Sequence, residues 1–128
     1  SDESRGLGDV YKRQVLGASV KEERYANKAV KKLRANNIDV VAIGLRKGVI
    51  GEVVIETEKL PFKDIHTITL YVGPQHQEVY FDYILSLQPK RVLFNPGTEN
   101  TVLIDLLEAN NIESEIACTL VLLATRQY

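Results

Sequence analysis

Cysteine occurs once in this sequence, at Cys118, and histidine twice, at His66 and His76. A lone thiol excludes an internal disulfide framework, and no Cys/His spacing of a zinc site accompanies it. A reducing, cytoplasmic compartment is therefore expected. An excess of one charge is also missing. The 16 Lys and Arg stand against 17 Asp and Glu, a formal net charge of −1, which offers no field for nucleic acid or a membrane surface. No apolar run approaches the roughly 18 residues that a bilayer-spanning helix needs. The fingerprint G-x-G-x-x-G of a standard dinucleotide turn is absent as well. What remains is a chain of 128 residues, 45% hydrophobic and 26% charged, enough for one domain with its own core.

The first 14 residues are polar and aperiodic, and they lack the apolar centre of a secretory signal. Asp9-Val10-Tyr11-Lys12-Arg13-Gln14 reads as the translated end of a transposase sequencing adaptor. Residues 1–14 are accordingly set aside as non-native or disordered, and residues 15–128 are taken as the domain.

From Val15 onward apolar runs alternate with helical patterns. Val15-Leu16 reads as a strand ending in Gly17-Ala18-Ser19. Ala26, Ala29, Val30 and Leu33 repeat with the spacing of an amphipathic helix, closed by Asn36-Asn37. Ile38 to Gly44 is a buried, β-branched strand. The stretch from Leu45 to Phe62, with Val53 to Thr57 alternating, predicts a crossover with a short edge strand or hairpin. Thr67 to Val72 is the third strand, followed by a helix over Gln75 to Leu87 with Val79, Tyr80, Tyr83, Ile84 and Leu87 on one face. Arg91 to Phe94 is the fourth strand, and a helix with Val102, Leu103, Leu106 and Leu107 follows it. Ile112 to Ala117 is the fifth strand, and Thr119 to Thr125 forms a last, apolar helix. Strands joined by helix-length crossovers imply a mostly parallel sheet with helices on both faces. The expected fold is a three-layer, doubly wound, Rossmann-like α/β domain with five strands in the order 3-2-1-4-5.

Ligands of open α/β sheets lie beyond the carboxyl ends of the strands, where strand order reverses. The loop after the first strand offers Gly17 for close backbone approach and the Ser19 hydroxyl, ahead of a helix whose first amides favour anions. It reads either as a phosphate turn or as a plain tight turn. After the second strand, where NAD-binding proteins place an acid for the ribose diol, stand Arg46 and Lys47. A basic pair suits a phosphorylated ribose, as in coenzyme A or NADP, unless it is simply a solvated turn. Tyr71-Val72-Gly73-Pro74 can present backbone and a flat apolar wall to an adenine or a pantetheine arm. Asn95-Pro96-Gly97-Thr98-Glu99-Asn100 is either a polar wall of the cleft or a helix start capped by Thr98 with Glu99 in the first turn.

The set Gly17-Ala18-Ser19, Glu23-Arg24-Tyr25-Ala26-Asn27, Leu70-Tyr71-Val72 and Asn95-Pro96-Gly97-Thr98-Glu99-Asn100 resembles the small stand-alone CoA-binding proteins. These are similar to the CoA-binding domain of the succinyl-CoA synthetase alpha subunit, and the ending Ala117 to Leu123 is similar to their bacterial branch. The resemblance implies a cleft for the ADP half of coenzyme A. Gly17, Ala18, Ser19 and Val20 would line the phosphate turn, with Arg24, Tyr25 and Asn27 at the start of the helix. Arg46 or Lys47 would approach the phosphorylated ribose, and Tyr71, Val72 and Gly73 the pantetheine or adenine, with Pro74 next in line. The synthetase has proline directly after the valine, whereas Gly73 intervenes here. Asn95 and Gly97 would complete the wall. The synthetase domains that carry the phosphohistidine and the nucleotide have no counterpart in this sequence.

No nucleophile–base set or metal cluster is visible. The apolar neighbours of Cys118 predict a buried, inert thiol, with a mixed disulfide to the CoA thiol as the sharper alternative. His66 precedes the third strand, away from the cleft, and His76 opens the next helix. Glu22-Glu23 reads as polar loop surface. The expectation is binding of CoA or an acyl-CoA by a carrier, sensor or partner subunit, alone or as a homo-oligomer, without chemistry of its own. The competing readings are an NADP-dependent oxidoreductase or epimerase fragment and a ligand-free protein-interaction domain.

Overall fold

The computed structural model describes residues 11–128. In chain order the elements are β1 (Lys12–Ala18), α1 (Tyr25–Ala35), β2 (Val40–Gly44), β3 (Gly48–Ile50), β4 (Val53–Glu56) and β5 (Ile65–Leu70). Two short 3-10 turns (Pro74–His76 and Glu78–Tyr80) then lead to α2 (Phe81–Leu87), β6 (Arg91–Phe94), α3 (Thr101–Ala109), β7 (Glu113–Ile116) and α4 (Thr119–Ala124).

The strands form one sheet of seven, ordered β3-β4-β2-β1-β5-β6-β7, parallel throughout except where β3 runs antiparallel to β4. Period-2 alternation sends neighbouring side chains to opposite faces. Leu16, Ile43, Ile68 and Phe94 pack with Ile84 of α2 and with Leu103 and Leu107 of α3. Val15, Ala42 and Ile55 pack with Ala26, Val30 and Leu33 of α1, and Leu123 of α4 joins them. Helices therefore cover both faces, and the expected three-layer, Rossmann-like architecture stands.

The strand count and order need correction. The strand read third in the sequence, here β5, does not lie outside β2 but pairs directly with β1, from Arg13↔Thr67 to Leu16↔Leu70. The place outside β2 is filled by the β3–β4 hairpin, whose β4 pairs parallel with β2 at Ala42↔Ile55 and Ile43↔Glu56. The alternation of buried Val53 and Ile55 with exposed Val54 fits an edge position, so the hairpin satisfies that flank and β5 closes the other.

The helix expected over Gln75 to Leu87 is also different. Pro74 starts a 3-10 turn with its φ already fixed, Gln77 is fully buried, and Val79 is 66% exposed, so the α-helix begins only at Phe81. Asn37 takes the left-handed conformation, φ 61°, after α1, as expected for that end.

Of the segment set aside at the amino end, residues 1–10 lie outside the described residues. Lys12, Arg13 and Gln14 are part of β1 and not disordered. Gln14 is fully buried, and its amide donates to the Tyr83 hydroxyl at 2.9 Å.

Candidate functional site

The sheet order sets the carboxyl-end loops in a row. From one flank to the other come the β2 loop with Arg46 and Lys47, the β1 loop from Ser19 to Arg24, the β5 loop from Tyr71 to Gly73, the β6 loop from Asn95 to Asn100, and Ala117-Cys118 after β7. Strand order reverses at β1, where ligands of this architecture bind.

The end of β1 is held tightly from both sides. Gly17 has φ +102°, and a Cβ placed there would lie 2.9 Å from the Tyr71 carbonyl carbon and 3.1 Å from Val72 Cγ2. On the other side, a Cβ on Gly44 would collide with the Ala18 carbonyl oxygen. Two glycines thus let three strand ends converge. Ala18 is buried, Ser19 half-buried and Val20 exposed.

Asn27, in the first turn of α1, is buried and donates to the Ser19 carbonyl at 2.9 Å. It therefore shapes the predicted phosphate turn from beneath. Its Oδ1 is buried without a partner. Arg24 is the N-cap residue and makes no side-chain cap, which leaves the first amides of an 11-residue helix free of a protein acceptor from that side chain. Arg24 and Tyr25 are both exposed, and Lys28 sits over the Tyr25 ring at 5.2 Å. Arg46 and Lys47 are fully on the surface and join none of the described ion pairs.

The opposite flank is cross-tied by side-chain hydrogen bonds. Asn95 is buried; its amide donates to the Leu70 carbonyl at 2.9 Å, and its Oδ1 accepts from the Thr119 N–H at 2.8 Å. Its amide nitrogen and oxygen thereby tie β5, β6 and α4 together. Gly97 is exposed, with φ +91°, and its N–H donates to Glu99 at 3.0 Å. The expected cap at Thr98 is replaced by Asn100, whose Oδ1 accepts from the Val102 and Leu103 amides. Thr98 is buried and donates to the Asn95 carbonyl at 2.7 Å.

Gln77 escaped the sequence reading. Its amide donates to the Val72 carbonyl at 2.8 Å and to the Thr98 carbonyl at 2.7 Å, stapling the β5 loop to the β6 loop. No local pattern signals such a contact, because both acceptors are backbone atoms brought close by the sheet. Val72 and Gly73 are half-buried, and Pro74 is exposed.

Tyr71 is half-buried, and burial pushes its hydroxyl up to about 12; the Thr119 hydroxyl opposes that shift, while Cys118 and Tyr128 add to it. Cys118 is half-exposed and not the buried thiol its neighbours suggested. His66 lies at the opposite end of β5, its pKa lowered mainly by burial and further by Arg13, Arg91 and Lys90. His76 is exposed in the first 3-10 turn.

Among the described residues, Asn27 Oδ1 and Gln77 Oε1 at this carboxyl edge are buried side-chain atoms without a partner, as are the neighbouring Tyr71 and Thr119 hydroxyls, whereas Arg13 Nε, Gln14 Oε1 and Arg91 Nη2 lie in the amino-terminal halves of β1 and β6. Buried polar atoms are almost always bonded, and exceptions gather where a ligand or water completes the set. A shallow cavity of about 380 Å³ lies elsewhere, lined by residues of β2 and β4 together with Arg34, Asp39, Glu52 and Phe62, and none of the predicted site residues lines it. Among the described residues no cluster of metal ligands is present, and no helix is long and apolar enough to cross a membrane.

A doubly wound α/β sheet with a glycine turn at its reversal point and basic residues on the adjoining loop defines a nucleotide-type binding domain. Residues 12–124 match the family model described as "CoA binding domain", and the chain belongs to that family. A crystal structure titled as an uncharacterized protein is 41% identical, with a TM-score of 0.90 over 92% of this chain and 98% of its own. The fold is shared with cell-free ID.343 from Thermus thermophilus, 17% identical, TM-score 0.79, covering 99% of this chain and 98% of that one. It is shared too with a hypothetical protein from Pyrococcus horikoshii OT3, 23% identical, TM-score 0.80, covering 99% and 92%. Among curated proteins there is no match.

Proposed function

We propose that this chain binds coenzyme A or an acyl-CoA along its carboxyl edge, serving as a carrier, sensor or partner subunit. The observation that carries the reading is the order of the loops. Free basic side chains, an amide-bearing glycine turn and a half-apolar wall follow one another in the sequence in which a phosphorylated ribose, a pyrophosphate and a pantetheine arm would need them. Arg46 and Lys47 would meet the ribose phosphate, Gly17 to Val20 and the first amides of α1 the pyrophosphate, and Tyr71 to Gly73 the arm. Bound there, the coenzyme supplies a thiol able to carry an acyl group.

NADP also carries a phosphate on its adenosine ribose, so the basic pair alone does not separate the two ligands. The membership in a CoA-binding family favours CoA, and the likeness to the synthetase domain extends the reading to a role beside a partner enzyme. Thermal shift with CoA, acetyl-CoA, NAD and NADP side by side separates the possibilities. Selective stabilisation by CoA and acetyl-CoA is the expected result. Selective stabilisation by NADP would overturn it, and no response to any of the four would favour a protein-interaction domain.

A further inference from the structure

We propose that a second copy of this chain docks on the outer face of the β3–β4 hairpin through a weak, two-fold symmetric contact. The inference stands apart from the CoA reading of the carboxyl edge.

The helix layers end unevenly over this hairpin. Parallel strands are buried on both faces where crossover helices cover them. Here α1 joins β1 to β2, α2 joins β5 to β6, and α3 joins β6 to β7, but the described residues 57–64, which join β4 to β5, hold no helix. On one face of the hairpin Ile50, Val53 and Ile55 are buried in a cluster with Val30 and Leu33 of α1. On the other face Val49 and Val54 stand opposite each other across the two strands, 58% and 50% exposed. A cross-strand pair of apolar side chains is thus left facing water.

A recess adjoins this ridge. The cavity of about 380 Å³ is lined by Val54 itself, with Val41, Phe62 and Glu56 among its other walls. Val41 and Phe62 pack against the core on the α2–α3 side of the sheet. Val54 alternates with the buried Val53 and Ile55 and so points to that same side. Ridge and recess therefore share one side of the sheet and meet at Val54. A two-fold axis passing over Val54 seats each copy's Val49 in the other's recess and takes both valines out of water.

Charge favours a second copy over a different protein. Lys47 lies two residues before Val49 and shares its side of the strand. Glu56 lies two residues after Val54, shares its side and lines the recess. Neither belongs to the described ion pairs. When Val49 enters the recess, Lys47 arrives beside Glu56 of the second copy, and the symmetry makes the contact twice. A surface that carries both signs at matched places complements itself. Of the basic pair, Lys47 would then meet the second copy and Arg46 the ribose phosphate. The residues involved are far fewer than the roughly 20–30 per side of a stable complex, so association should depend steeply on concentration.

Sedimentation equilibrium of the whole chain, from micromolar to millimolar concentration, tests this. The mass should rise from 14.4 kDa toward twice that value. Val49→Lys, at a site exposed to solvent, should weaken association roughly tenfold or more and leave the melting temperature unchanged. Glu56→Lys should weaken association as well. Lys47→Glu added to Glu56→Lys should restore it, because the two charges only exchange places. The mass of one chain at every concentration would overturn the proposal and leave the face to a partner of another kind. Association that Val49→Lys does not weaken would overturn it by placing the contact elsewhere, and so would an exchange of charges that restores nothing.

Discussion

The two flanks of β1 are built on different terms. On the β2 side the carboxyl edge ends in Leu45, Arg46 and Lys47, all exposed, followed by a short hairpin whose Val49 and Val54 also face solvent. On the β5 side the loops are cross-tied by Asn95 and Gln77, each buried and each bonded to backbone of another element, while buried Thr98 braces its own loop at the Asn95 carbonyl. A mobile cation needs only charge and reach to meet a phosphate, and it keeps its hydration while waiting. A wall that receives an uncharged arm needs fixed shape, because nothing long-ranged steers the partner into place. On the proposed CoA reading, charge would be recognised on the loose flank and form on the rigid one.

The seam between the flanks is the place to break this contrast most severely. Gly17→Val introduces a branched side chain at φ +102° and against the Tyr71 backbone. A loss of about 3 kcal/mol or more in unfolding free energy is expected from strain and overpacking together, along with loss of any CoA-induced melting shift. Urea denaturation and thermal shift check both; a near-native midpoint would mean the strand ends are not in contact.

Next in size is the rigid flank. Asn95→Ala leaves the Leu70 carbonyl and the Thr119 N–H without partners. Each buried group so abandoned costs roughly 1–3 kcal/mol, so a total of about 2–6 kcal/mol should appear by denaturation. Hydrogen exchange should show opening at the start of α4. The loose flank should behave oppositely: Arg46→Ala with Lys47→Ala should shift stability by no more than about 0.5 kcal/mol.

The smallest effect comes from the amino end of β5. Burial lowers the His66 pKa below its ordinary 6.5, so the folded state binds its proton less readily than the unfolded chain. Stability should therefore fall as pH drops below about 6.5, and His66→Asn should flatten that slope. Urea midpoints at neutral and mildly acidic pH measure it, and an unchanged slope in the variant would assign the loss to other groups.

Much of this design could be read from local pattern. The pairs Val15-Leu16 and Ala42-Ile43 point to opposite faces, and the alternation Val53-Val54-Ile55 announces an edge strand. Sheet order could not be read so, because β5 carries no local mark of whether it will lie outside β2 or beside β1. The hairpin decides it by occupying the outer place. Gln77 shows the same limit from another direction: glutamine looks like a polar surface residue until Val72 and Thr98 supply acceptors from two separate loops. The ties made by Asn95 show the same limit. Its two partners are far apart in sequence, 25 residues before and 24 after. The surface position of Arg46 and Lys47, by contrast, follows from the local turn alone.

Titration calorimetry of CoA and dephospho-CoA, against the native protein and the variant with Arg46→Ala and Lys47→Ala, tests the division between the flanks most directly. The account predicts that the native protein prefers CoA by about tenfold or more, the worth of a charge-assisted phosphate contact. It predicts further that the variant loses this preference while retaining dephospho-CoA binding. Equal affinity of the native protein for the two ligands, or an equal loss of both in the variant, would contradict it.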